Sequence, residues 1–183
     1  MYGKAYPQWL PCTGVFRAYL NLEGILMRKR IINSIPQKNV DSDHECLDIE
    51  KLALVEVTSE NNEFPIESAL LLGKVSGWRA SEPGEQIIRL LFDNPQTLQW
   101  INLNFEELEI ERTQEYVLRW SPDGGQTYQE IIRQQWNFSP DGASCEVEEY
   151  QVKLSAVTIL ELIINPDISG KTAFASLKAL RIS

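Results

Sequence analysis

The side chains of this chain best suited to gripping a ligand are planar and polar: Trp78 and Arg79, Arg112, and the group Arg133, Gln134 and Trp136. Aromatic faces stack on the C–H surfaces of sugars, while Arg and Gln forks hold hydroxyls. Trp136 shares a face with Ile132 and Phe138 and reads first as core. Trp78 and Arg79, just ahead of a turn, are therefore the stronger ligand contacts. Residues able to break bonds are scarcer. His44 is the single histidine, and its neighbour Cys46 lies in the same polar stretch, a spacing that builds no nucleophile–base pair by itself. One histidine with three scattered cysteines, Cys12, Cys46 and Cys145, does not supply the four N/S ligands of zinc. Carboxylates cluster at Glu106, Glu107, Glu109 and Glu111, and again at Glu146, Glu148 and Glu149. A glycosidase needs two of them facing each other across a cleft, and charge alternation on edge strands explains such runs more simply. The expectation is a binding protein, not an enzyme.

The elements that must carry these residues are organised around the segment 112–138. Residues 115–120 put Tyr116, Leu118 and Trp120 on one face and Val117 and Arg119 on the other, the period of a half-buried strand. Residues 128–138 alternate in the same way. Between them, Pro122 presets φ, Asp123 can bond its own backbone, and Gly124 and Gly125 accept positive φ, which predicts a hairpin. Upstream, 52–58 reads as a strand with Glu56 turned inward, 66–72 as one helical turn or a short strand, and 85–92 as a strand apolar on both faces. Asp93-Asn94-Pro95 reads as a turn, followed by a strand over 98–105. Downstream come a second turn at Ser139-Pro140-Asp141-Gly142 and strands over 145–154, 159–164 and 175–182. Turn signals recur about every 8–14 residues with no competing helical period, so the pattern predicts an all-β, antiparallel β-sandwich.

Composition narrows the setting. The chain has 183 residues and a net charge of −9, enough for one core plus an appendage and the wrong sign for a phosphate-backbone binder, so nucleic acid is excluded as partner. No window approaches the apolar length of a membrane span. The first 26 residues carry Pro7, Pro11 and aromatics without period, and Met27 ahead of Arg28-Lys29-Arg30 reads as an alternative start or the end of a docked arm. The N-terminal stretch lacks the order of a signal peptide, and an odd cysteine count without paired spacing fits reduced thiols, so a cytoplasmic location is expected. The expected division is an irregular extension over 1–50 and a sandwich domain over 51–183.

The order Gly77-Trp78-Arg79-Ala80, then Leu98-Gln99-Trp100-Ile101-Asn102-Leu103, then Arg112 and Glu115-Tyr116-Val117-Leu118-Arg119-Trp120-Ser121-Pro122-Asp123-Gly124, then Leu177-Lys178-Ala179-Leu180-Arg181-Ile182 resembles the discoidin-like, or coagulation factor 5/8 type C, domains. These belong to the galactose-binding-like jelly rolls. The resemblance covers residues 52–183 and implies a non-catalytic module that holds a carbohydrate, or a protein ligand, in loops at one end of the sandwich. The alternative is an assembly domain with no small-molecule ligand. The chain departs from the family in lacking a cysteine pair that ties the domain ends and in showing no protruding apolar loop tips, so no membrane partner is expected. No cofactor is expected beyond the structural calcium ion such jelly rolls often hold, for which Asp93, Asn94, Asp167 and the pair Asp41 and Asp43 offer oxygen ligands. The segment Ser121 to Tyr128 also resembles the Asp-box turn of propellers, but one good copy indicates a hairpin and not a propeller.

Overall fold

The computed structural model describes residues 45–183; His44, Asp41, Asp43, Cys12 and the whole stretch before them lie outside the described residues. The order of elements is α1 (Ile49–Leu52), β1 (Ala53–Val57), α2 (Glu67–Leu70), β2 (Trp78–Pro83), β3 (Gln86–Glu106), β4 (Arg112–Ser121), β5 (Gln129–Phe138), β6 (Cys145–Asn165), β7 (Phe174–Leu177) and β8 (Ala179–Ile182). All strand pairs are antiparallel.

Two long strands make the sandwich. The first part of β3 pairs with the second part of β6, and the second part of β3 with the first part of β6, with the register slipping between Leu91 and Trp100. Opposite those slips Ala156 takes a φ of 58°, a left-handed conformation that bends the strand. One layer then runs β1, β3, β6, β4, β5, while β8 pairs with the other part of β3 in the facing layer. Tyr116 of β4 and Phe105 of β3 meet across the gap with ring centroids 4.9 Å apart. Between the layers lie Ile88, Leu90, Leu98, Ile101, Leu103, Phe105, Tyr116, Leu118, Leu160, Leu162, Ile164, Leu180 and Ile182, all buried. The antiparallel sandwich predicted from the alternation is thus the fold.

The predicted hairpin joins β4 and β5 in the expected register, with Tyr116 opposite Gln134 and Leu118 opposite Ile132. Asp123 organises its turn. Its Oδ1 accepts from Ser121 Oγ at 2.7 Å and from the Thr127 amide at 2.9 Å, and its Oδ2 accepts from Thr127 Oγ1 at 2.7 Å. Gly124 and Gly125 have φ of 68° and 90°.

Several local expectations change. Glu56 faces outward with the exposed Leu54, because Ala53, Val55 and Val57 take the inner side opposite Phe92, Leu90 and Ile88. Asp93-Asn94-Pro95 does not reverse the chain: β3 runs on through it, with the ladder interrupted where Pro95 has no N–H to give. Within residues 66–72 the stretch Glu67–Leu70 forms the short helix α2, with Leu71 already extended. Lys178 splits the final strand into β7, which pairs with β2, and β8, which pairs with β3. Residues 45–50, assigned from sequence to the extension, are tied to the sandwich, since the Leu47 amide donates to Ile182 O at 2.8 Å and Ile49 is buried in the core.

On the outer face of the larger layer one row of side chains alternates in charge: Glu56, Arg89, Glu161, Arg119 and Glu130 sit opposite one another on β1, β3, β6, β4 and β5. Glu161, fully buried, accepts from both Arg89 and Arg119, and the Arg119 guanidinium lies 4.3 Å from the Tyr128 ring centroid.

Candidate functional site

The β2–β7 pair at one end of the sandwich, with the loop that follows β3, encloses a cleft of about 190 Å³ lined by Phe64, Ser76, Trp78, Arg79, Ser176 and the run Glu106 to Glu109. Its shape follows from three local features. Gly77 has φ 75°, and a Cβ there would stand 2.8 Å from Leu177 O, so only glycine lets β2 start this close to β7. Arg79 lies opposite Ser176 in that pair, and its backbone is clamped on the other side, the amide donating to Phe64 O at 3.1 Å and the carbonyl accepting from Asn61 at 2.9 Å. The third feature is the buried ion pair under the loop.

That pair is Arg112 and Glu107. Arg112 Nε donates to Glu107 Oε2 at 2.8 Å, Nη1 to Pro166 O at 2.8 Å and Nη2 to Ser176 Oγ at 3.1 Å, while the guanidinium sits 5.5 Å from the Phe138 ring centroid. Glu107 Oε1 accepts from the amides of Glu109 and Ile110. Both side chains are buried, and burial lowers the Arg112 pKa against the opposing pull of Glu107. Glu107 thus shapes the loop from below, and Glu109 is left on top of it.

Glu109 meets Arg79 in a two-pronged pair, Nη1 to Oε1 at 3.2 Å and Nη2 to Oε2 at 3.0 Å. The Arg79 hydrogen bonds and charge hold the Glu109 carboxyl below its ordinary value. With the side chains 28% and 65% exposed, the pair is open to solvent, a fork and a carboxylate that a hydroxyl-bearing ligand can engage. Beside it Lys178 Nζ donates to Glu106 Oε2 at 2.7 Å. Beneath, the buried Trp78 indole N–H has no acceptor.

Of the residues singled out from sequence, Trp78, Arg79 and Arg112 converge here, although they come from distant parts of the chain. Trp78 belongs to strand β2 and not to a loop, and its ring is buried as the cleft's wall, so it cannot offer an open stacking face. Arg112 is enclosed beneath the loop and acts as scaffold, because its donors are taken by Glu107, Pro166 and Ser176. Arg79 alone of the three reaches solvent. Arg133, Gln134 and Trp136 lie on β5 instead. Arg133 is on the outer face, paired with Glu115 at 2.9 Å and Glu130 at 3.2 Å, while Gln134 and Trp136 are half-buried on the inner face. Glu106 and Glu109 carried a signal as part of the acidic run; Phe64 and Ser176 carried none, being brought in only by strand pairing.

No group of three or more metal-ligating side chains gathers among the described residues. Asp167 does not fit a cation: it accepts from the Thr113 amide, Ser169 Oγ and the Lys171 amide, bonds that hold it at about 2. Asp93 and Asn94 are exposed on the bent stretch of β3. One further departure concerns loop tips. Leu72 and Val75 stand exposed on the loop ahead of β2, and Leu108 is exposed at the cleft itself. Among the described residues no helix is long and apolar enough to cross a membrane.

No protein-family model and no curated protein matches the sequence. Solved structures do. A pectin-binding carbohydrate-binding module is similar with a TM-score of 0.52 and 18% identity, over 73% of this chain and 91% of that one. The family 32 carbohydrate-binding module of Clostridium perfringens NanJ, in complex with galactose, is similar with a TM-score of 0.55 and 14% identity over 75% and 96%. Another module from Clostridium perfringens, in complex with GalNAc-β-1,3-galactose, has a TM-score of 0.54 and 21% identity over 75% and 99%. At these identities what is shared is the fold, the discoidin-like jelly roll of the galactose-binding-like group.

Proposed function

We propose that the chain is a non-catalytic carbohydrate-binding module, and that its sugar binds at the Arg79–Glu109 cleft. The observation that carries this is the solvent-facing fork of Arg79 against Glu109 at the end of a sandwich whose structural neighbours include sugar-bound modules. An arginine fork and a carboxylate together offer donors and acceptors to a vicinal diol, and exchange their mutual bonds for bonds to the ligand. The part of Trp78 is to fix the wall; hydroxyl contacts fall to Arg79, Glu109 and Glu106. A cytoplasmic location remains part of the proposal, resting on the odd cysteine count.

The test is a glycan array followed by calorimetry on the wild type, Arg79→Ala and Glu109→Gln. Losing the fork should weaken binding to any sugar found by at least about tenfold, as expected when a charged hydrogen-bonding partner is removed. Retained affinity in both variants would move the site elsewhere. A second reading, an assembly domain, is favoured by the exposed Leu72, Val75 and Leu108 near the same end. Co-purification of one defined protein, lost in a Leu72→Ser, Val75→Ser variant, with no glycan bound, would establish that alternative.

A further inference from the structure

β1 is one edge of the larger layer, and no strand lies beyond it among the described residues. Its ladder shows which backbone groups are left over. One step past the Val57–Ile88 pair, the Thr58 amide donates to Ile87 O at 3.1 Å. Residues of an antiparallel pair bond to their partner at every second position, so Glu56 and Leu54 also turn their N–H and C=O groups toward β3. Val55 and Val57 turn theirs outward. Ala53, in phase with them, gives its amide to Ile49 O at the end of α1. The free edge thus offers the N–H and C=O of Val55 and of Val57, the set to which one further extended segment pairs.

Sheet edges are ordinarily guarded by Pro, Lys, bulges or inward charges. The opposite edge is guarded: β5 has a bulge at Ile131 and carries Glu130, Arg133 and Gln135. β1 reads Ala-Leu-Val-Glu-Val in unbroken register, with only its length of five residues to limit pairing. An open cleft of about 580 Å³ runs beside it, lined by Val55, Glu56, Val57, Thr58, Ile87 and Arg89. Leu54, on the same face as Glu56, is 62% exposed. The row of alternating charge on that outer face breaks off at this edge on Glu56. Among the described residues Arg89 is the one cation paired with Glu56, at 3.4 Å, and the same guanidinium bonds the buried Glu161. That distance is long for a charge-assisted bond, so the half-exposed Glu56 carboxylate has room for a second cation.

We propose that β1 docks an extended peptide of a partner protein, which adds a strand beside it and sets a Lys or Arg, flanked by apolar residues, against Glu56. Because Glu56 bonds toward β3, it meets the added strand at a non-hydrogen-bonded position, where facing side chains stand closest. The cation continues the charge alternation by one step. The next residue on the same face covers Leu54, and those between lie beside Val55 and Val57 on the inner side. A second copy of the chain fits less well, since β1 holds no Lys or Arg. Val55 against Val55 would set Glu56 against Leu54, and Glu56 against Glu56 would oppose like charges. The net charge of −9 repels a copy and draws a cationic segment.

The probe is the capped peptide acetyl-Thr-Val-Lys-Val-Leu-Thr-amide, titrated into the full chain and followed by ¹H–¹⁵N spectra and amide exchange. In the free protein the Val55 and Val57 amides should exchange faster than those of Leu54 and Glu56, and the peptide should shift and protect them. Glu56→Lys should weaken binding at least about fivefold, and the same peptide with Glu in place of Lys should regain what was lost. Val55→Pro removes an outward donor and leaves the bonds to β3 in place, so it should abolish binding while the rest of the spectrum stays native. Val55 and Val57 amides that stay unprotected with the peptide present, equal affinity for the Lys and Glu peptides, or unchanged binding by a folded Val55→Pro protein overturns the proposal. Should Val55→Pro fail to fold, the charge exchange at Glu56 still decides. Protection that appears in concentrated protein without peptide, together with a doubled mass in solution, also overturns it, because the edge would then belong to a second copy.

Discussion

Replacing Arg112 with methionine separates scaffold from ligand contact at the cleft. Methionine keeps a stem of similar length against Phe138 and removes the guanidinium. Glu107 would then be left buried with only the amides of Glu109 and Ile110 as donors, while Pro166 O and Ser176 Oγ lose theirs. Breaking a buried pair by removing one partner costs about 3–5 kcal/mol, and the apolar replacement offsets part of that, so about 3 kcal/mol remains. For a domain of this size each kcal/mol moves the melting temperature by about 2–4 °C, which gives a fall of roughly 6–12 °C. Thermal melts followed by circular dichroism, checked by guanidinium unfolding, read this directly. The added change Glu107→Gln removes the stranded charge, so the double variant should be less destabilised than the sum of the two single ones, by about 1–2 kcal/mol. An Arg112→Met protein that melts within about 2 °C of wild type, yet has lost its sugar, would refute the argument. It would mean that the guanidinium serves the ligand and not the loop.

On the outer face, Glu161→Ala should leave Arg89 and Arg119 facing each other and cost roughly 1–3 kcal/mol, discounted for side chains about a third exposed; Glu161→Gln should cost less, and equal melts for both would count against the ladder. Acid stability offers a further test. Asp123 and Asp167 titrate near 2 in the folded chain against an ordinary 3.8, held down chiefly by bonds from Thr127 and Ser169 respectively. A depressed folded pKa adds stability that is complete above the unfolded value and is lost as pH falls toward 2. Melting temperature should therefore drop across that interval, and Asp123→Asn or Asp167→Asn should flatten the drop; an unchanged slope in both would contradict the assignment. Finally, Gly77→Ala forces a Cβ to within 2.8 Å of Leu177 O at a φ of 75° and should destabilise by more than about 1 kcal/mol, with native stability in that variant refuting the close-approach argument.

What the sequence determined by itself was everything carried by short range. The alternation of Tyr116, Leu118 and Trp120, and the Ser121-to-Thr127 turn with its paired glycines, specify a hairpin because period and turn chemistry act over a few residues. The spacing of such signals also specified the sandwich. Local pattern did not determine which way a marginal strand faces. Leu54 and Glu56 read as inward until Val55 and Val57 found Leu90 and Ile88, a choice made by burial against another strand. Nor could it show that β3 continues past Pro95, since a proline marks a turn or a bulge equally and only the partner strand decides. The cleft needed tertiary structure most. Arg79 meets Glu109, and Arg112 meets Ser176, across separations of 30 and 64 residues, and no periodicity spans such distances. The same packing turned Trp78 and Arg112 from candidate contacts into wall and floor, because whether an aromatic ring or a guanidinium faces water is a property of everything packed around it.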